Sequence, residues 1–287
     1  MARTNLTEFN SVLLFAHQNR SHPPALRGPG RPLSWTAMKL TDLKWPDVEA
    51  LSENTPVVIP IAAHEQHGRH MPLHTDSILL GEIVRRAEQR VGEDALFAPL
   101  MWLGNSHHHM DFPGTLSAEP RVYLDLLNGL LENFLDHGFN RLVLLNGHGG
   151  NMVPGAQAVF EVRQRHRDRK DILLLSATYW DQAKITEARD DFAQDAMGHA
   201  GELETSMMMV IRPDLVGEHQ RDEVPKGAAF ANSTRGWTTK DRSEPGHIGV
   251  PASASAEKGE TLLNIFTDGA VKLIGEVRDW DGQSWDG

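Results

Sequence analysis

From Leu40 onward the chain alternates between short, uniformly apolar runs and longer stretches in which apolar residues return every three or four positions. The first pattern marks strands with little polar face and the second marks amphipathic helices. TPVVIPIAA (55–63) reads as a buried strand, DALFAPLMWLG (94–104) as a second, RLVLLNG (141–147) as a third and DILLLSATYW (171–180) as a fourth. WPDVEALSE (45–53) reads as a short helix with Pro46 in its first turn. TDSILLGEIVRRAEQRV (75–91) is an amphipathic helix with Thr75 placed to cap it. EPRVYLDLLNGLLENFLDHG (119–138) is a long helix that starts at Glu-Pro and stops at Gly138. Further helices follow over 153–167, over 203–216 after a loop, and over 257–280 at the close, and the Met207–Met209 run reads as core filler. No internal repeat is visible. Strands alternating with helices imply right-handed crossovers and a largely parallel α/β sheet, whose ligands bind beyond the carboxyl ends of the strands.

Composition narrows the class. With 287 residues, 40% of them hydrophobic, the chain can bury a real core. A net charge of -11 argues against nucleic acid as the main partner, since phosphate binding needs a basic face. Cysteine is absent, so disulfides, thiolate metal sites and a cysteine nucleophile are excluded. A metal must therefore be held by His, Asp and Glu, which favours zinc, manganese or similar ions. No apolar stretch approaches the roughly 20 residues of a membrane span. A cytoplasmic location is expected. Residues 1–36, rich in Pro, Gly and Arg and without helical period, read as a loose N-terminal arm. A mis-assigned start codon and an arm docking on a neighbouring subunit are its two explanations. Residues 37–287 are expected to form a single catalytic domain.

Three stretches carry chemistry. AAHEQHGRHMPLHTD (62–76) follows the first strand and holds Glu65, His67, His70, His74 and Asp76. Glu65 and His67, two apart, share a side of extended chain. Asp76 sits where a helix begins and its dipole favours a carboxylate. LLNGHGGN (144–151) puts His148 after a strand among glycines that permit close approach. No Gly-Lys-Ser/Thr follows, so it is not a phosphate loop. GHAGELETSMMMV (198–210) places His199, Glu202 and Glu204 at a helix start. Each stretch alone also reads as ordinary loop or cap chemistry. Together, carboxylates and imidazoles suit two divalent ions close together, with one more titratable group to move a proton. A serine hydrolase has no support, since no Gly-x-Ser-x-Gly elbow is present.

EQHGRHMPLHTD, HMDFPGTLS, NGHGGN and HAGELETS, in that order, resemble the creatininase family of creatinine amidohydrolases over about Met38 to Glu276. The resemblance implies a three-layer α/β/α fold with a mostly parallel sheet, a small-molecule substrate, two divalent metal ions (zinc and/or manganese) and a homo-oligomer, often a hexamer. It implies that Glu65 and His148 bind one ion, His67 and Glu204 the other, and Asp76 bridges both. His199 would transfer the proton, and His109 would match a histidine of the pocket wall. Trp180, after the fourth strand, either stacks on a flat substrate or simply packs. His74 stands where the family often has glycine, and Glu202 falls at a variable position. Creatininase proper carries a glutamate where this chain has Gly150. The implied reaction is therefore hydrolysis of a non-peptide carbon–nitrogen bond in a cyclic amide, amide or formamide. A cyclic keto-sugar or lactone-like substrate at the same site is the alternative, and a non-catalytic metal-binding assembly protein the reading from another class.

Overall fold

The structure, a computed structural model, describes residues 37–225, 227 and 233–284. The arm expected over residues 1–36 lies outside the described residues. In chain order the regular elements are β1 (Met38–Lys39), α1 (Trp45–Glu49), β2 (Pro56–Ile61), α2 (Thr75–Val91), β3 (Leu96–Phe97), α3 (Pro120–Asp136), β4 (Arg141–Asn146), α4 (Met152–Arg165), β5 (Leu173–Thr178), α5 (Ile185–Ala188), α6 (Glu202–Ile211), α7 (Thr239–Arg242) and α8 (Ala256–Asp279). The five strands form one sheet in the order β1-β3-β2-β4-β5. Every pairing is parallel.

Period-2 alternation sends neighbouring strand residues to opposite faces. Val58 and Leu145 face a cluster with Leu79 and Leu80 of α2, Met207 and Met208 of α6, and Leu262, Leu263 and Phe266 of α8. Val57, Ile59, Ile61, Leu142 and Leu144 face the other way, against Tyr123, Leu127 and Leu131 of α3 and Ala158 and Val162 of α4. The result is the expected three-layer α/β/α arrangement, with β2 and β4 buried along their whole length. Among the described residues, no helix is long and apolar enough to cross a membrane.

Three local expectations change. The second strand shrinks to Leu96–Phe97, because Pro60 of β2 has no N–H to offer where β3 runs on toward Pro99. Met101 returns to the sheet by donating its N–H to Pro60 O at 2.9 Å. Thr75 does not cap α2. His74 occupies that position, while the Thr75 hydroxyl donates to Pro72 O at 2.6 Å. β1 is an additional edge strand whose two residues are too few to show a period. At α3 the expectation holds: the Glu119 side chain accepts from Arg121 N and Val122 N, and Gly138 follows the helix at φ 93°.

What positions the site is the level finish of the central strands. Ile61 pairs with Asn146 and Asn146 with Thr178, so β2, β4 and β5 end together. The segments bearing Glu65, His148 and Trp180 leave from that one edge.

Candidate metal centre

The segment after β2 turns back on itself. Glu65 N donates to Leu73 O at 2.8 Å, and Gly68 adopts φ +63°, where a Cβ would also meet the His70 ring at 3.1 Å. This turn aims Glu65 and His67 inward and delivers the chain to α2, whose first turn carries Asp76. His148 is clamped by Asn146, whose side chain accepts from His148 N at 3.0 Å and donates to His148 O at 2.8 Å. Glu204 lies in the first turn of α6, its Oε2 accepting from Ala200 N at 2.5 Å. Glu65, His67, Asp76, His148 and Glu204 are all buried.

Their donor atoms converge. Potential ligand atoms of Glu65, Asp76 and His148 lie within 4.8 Å of one another, and so do those of His67, Asp76 and Glu204. Asp76 belongs to both sets. Its Oδ1 is 3.1 Å from His67 Nε2 and its Oδ2 is 3.0 Å from His148 Nδ1. Glu204 Oε1 is 3.8 Å from His67 Nε2, and Glu65 Oε2 is 3.3 Å from His148 Nε2. Two further sets, Glu65 with His108 and His109, and Glu65 with His67 and His199, meet the same distance limit.

The hydrogen bonds fix which ring nitrogen points where. His67 Nδ1–H donates to Glu65 O at 3.0 Å, His148 Nε2–H to Asn105 O at 3.1 Å, and His199 Nε2–H to Gln66 O at 2.8 Å. Each ring therefore spends its N–H on a backbone carbonyl and turns its other nitrogen toward carboxylates, the arrangement by which proteins orient metal-binding imidazoles. Among the described residues, the buried Glu65 Oε2 and Asp76 Oδ2 have no hydrogen-bond partner. Lone pairs facing carboxylate oxygens at such distances need positive charge between them, so the donor set fits divalent cations. Protons feel the same pull. Burial opposes charge on His148, yet Glu65 and Asp76 outweigh it and push the ring up to about 9. Burial likewise opposes charge on His67, and Asp76 with Glu204 still raises it well above the ordinary histidine value. Asp76 is held far below the carboxylate range, burial being overcome by His67 and His148.

Around this centre lies a cavity of about 640 Å³ lined by Glu65, Asp76, His109, His148, Trp180, His199 and Glu204 among others. His199 Nδ1 is 3.6 Å from Glu65 Oε1, and burial followed by the neighbouring His109 and His67 keeps its pKa well below the usual value. His109 lines the cavity too, but both its nitrogens are engaged: Nε2 lies 3.2 Å from Glu65 Oε1, and Nδ1 accepts from Gln66 Nε2 at 2.7 Å. Trp180 is half-buried on the cavity wall. Gln66, not among the residues singled out in the sequence, also donates to Gly246 O at 2.9 Å and accepts from Gly68 N at 2.8 Å. Its place between Glu65 and His67 was the one available signal. His74 does not line the cavity and pairs with His64, Nδ1 to Nδ1 at 3.0 Å. His70 bonds Thr205 Oγ1 at 2.9 Å, and Glu202 forms a buried ion pair with Lys258 at 2.5 Å.

A family model described as creatinine amidohydrolase, of the creatininase family, matches residues 41–274. The chain is 31% identical over 227 residues to a mycofactocin precursor peptide peptidase of Mycolicibacterium smegmatis, covering 76% of this chain and 83% of that one. It is 27% identical over 249 residues to creatinine amidohydrolase of Pseudomonas putida, covering 82% and 95%. A solved mutant creatininase of Zn-Zn type matches with a TM-score of 0.71 at 28% identity, over 83% of this chain and 97% of that one. Fold, motif order and family model agree, and the chain belongs to the creatininase family of hydrolases.

Proposed function

We propose that this chain is a dinuclear metal-dependent hydrolase of a non-peptide carbon–nitrogen bond: a cyclic amide, an amide or a formamide. The observation that carries the reading is one carboxylate, Asp76, common to two donor sets. Glu65, His148 and Asp76 would hold one ion, and His67, Glu204 and Asp76 the other, and zinc or manganese suits such nitrogen and oxygen donors. When bound, a pair of divalent ions acidifies water and polarises a carbonyl oxygen.

The chain's own groups do the rest. His199 is the proton carrier: its Nε2–H is spent on Gln66 O, which fixes the ring and leaves Nδ1 facing the centre. Its depressed pKa keeps Nδ1 free to accept a proton at neutral pH and to pass it to the leaving nitrogen. His109 steadies the Glu65 carboxylate from behind and forms part of the wall. Trp180 offers a flat apolar face to a planar substrate. Residues 37–287 act as one catalytic domain within a homo-oligomer on this reading.

The test is metal analysis of the purified chain and of Asp76→Asn, alongside turnover of a panel of lactams, formamides and cyclic keto-sugars. The reading expects about two ions per chain, loss of both in the variant, and turnover of at least one amide. Full turnover by metal-stripped protein, or two ions retained by Asp76→Asn, refutes it. Turnover confined to keto-sugars transfers the site to the rival substrate class.

A further inference from the structure

We propose that Trp237 and Arg242 form a recognition wall at the mouth of the cavity that selects substrates bearing a carboxylate beside a flat group, a proposal that rests on the hydrolase reading above. The cavity of about 640 Å³ is lined both by buried residues of the metal centre and by residues open to solvent, Arg235 and Trp237 being exposed and Arg242 half-buried. Its inner end carries the carboxylates and imidazoles of the metal centre, and its outer wall carries Arg235, Trp237 and Arg242. That volume lies in the range of about 300–1,000 Å³ typical of pockets for larger organic ligands. There is thus room for a second recognition group beyond the bond to be cleaved.

The outer wall is ordered. The Arg242 guanidinium lies 4.7 Å from the centroid of the Trp237 ring, within cation–π range. Trp237 meets the His108 ring edge-on at 5.1 Å, and His108 stacks at 14° on His148 at 5.7 Å. A continuous line of rings therefore runs from the mouth to a candidate metal-binding imidazole. α7, which ends in Arg242, is fixed by a capping box between Thr238 and Asp241. It is also tied inward by Thr239 Oγ1, 2.9 Å from His109 Nδ1. A guanidinium has five N–H donors in a planar fork, so one that already bonds a protein group still has donors for a carboxylate. In a chain of net charge -11, arginines at this opening draw small anions toward it.

The experiment is calorimetric binding of benzoate and of benzamide, a matched flat pair with and without charge, to the zinc-loaded protein and to Arg242→Ala, Arg242→Gln and Trp237→Ala. Benzoate is expected to bind wild type at least about tenfold more tightly than benzamide, the scale of a charge-assisted hydrogen bond. Either arginine variant should abolish that preference by weakening benzoate far more than benzamide, with zinc content unchanged. Trp237→Ala should weaken both ligands. Arg242→Gln covers the case in which the alanine variant fails to fold. Benzoate affinity equal in wild type and the arginine variants, as when the anion sits on the metals alone, overturns the proposal. So does the absence of any preference over benzamide. Because binding is read without turnover, failure here is separable from failure of the hydrolase reading, which the amide panel decides.

Discussion

Gly150 offers a sharp test of how the centre is supported. A Cβ built there would lie 2.1 Å from Asn105 O and 2.5 Å from His148 Nε2. A carbon–oxygen contact settles at about 3.3 Å, so Gly150→Ala must displace the Asn105 carbonyl by roughly 1 Å. That carbonyl accepts the His148 Nε2–H at 3.1 Å. A shift of this size away from the ring stretches the bond to about 4 Å, beyond hydrogen-bonding range. Groups that orient a metal-binding histidine are worth about 10- to 100-fold in metal affinity. Overpacking adds a cost of about 1–3 kcal/mol to folding. The neighbouring Gly149 supplies the control, since a Cβ there meets nothing within 4 Å. Competition titration against a chelator should show Gly150→Ala weakened by that factor for the ion at His148, with Gly149→Ala close to wild type. Thermal unfolding of the metal-free proteins should separate the same pair. Equal affinity and equal stability in the two variants would mean that the Asn105 carbonyl does not orient His148.

Two other outcomes are open to measurement. In the metal-free protein the raised pKa of His148 contributes stability that is complete below the ordinary histidine value and is lost as pH rises through about 9. Metal uptake at pH 7 must therefore expel protons from His148 and His67, roughly two in all. Calorimetry in buffers of different ionisation enthalpy should count them and find fewer above pH 9, and buffer-independent heat would contradict the assignment. The Lys258–Glu202 pair is buried at 2.5 Å. Lys258→Met strands the carboxylate and should lower stability by about 3–5 kcal/mol in denaturant unfolding, whereas the double change Lys258→Met with Glu202→Leu should recover most of it. A single variant as stable as wild type would show that the pair is not desolvated.

Helices and central strands were legible because their patterned stretches are long enough to read: α2 runs from Thr75 to Val91, as its pattern indicates, and β2 and β4 are continuous apolar runs. β1 escapes such reasoning through brevity, while β3 was expected but over a longer span, 94–104, because the prolines that end its pairing are not weighed by an apolar run. The candidate donors stand out in sequence since Glu65, His67, Asp76, His148 and Glu204 are chemically conspicuous at element ends. Which nitrogen of each ring faces inward depends on carbonyls of Glu65, Asn105 and Gln66, and every residue has a carbonyl. Gln66 and Trp237 were silent for a related reason: an amide and an indole acquire meaning only from neighbours remote in the chain.

The bond between Gln66 and His199 joins positions 133 apart. Chain that distant meets late, after the sheet and its crossovers have formed, because loop closure must be paid before such contacts return anything. A growing polypeptide that has released Glu65, His67, Asp76 and His148 but not yet Glu204 owns one complete donor set and lacks one member of the other. On the dinuclear reading, a cation that needs Glu204 would act less as a template around which the protein collapses than as a latch thrown afterwards, slowing escape from the finished state more than hastening arrival at it.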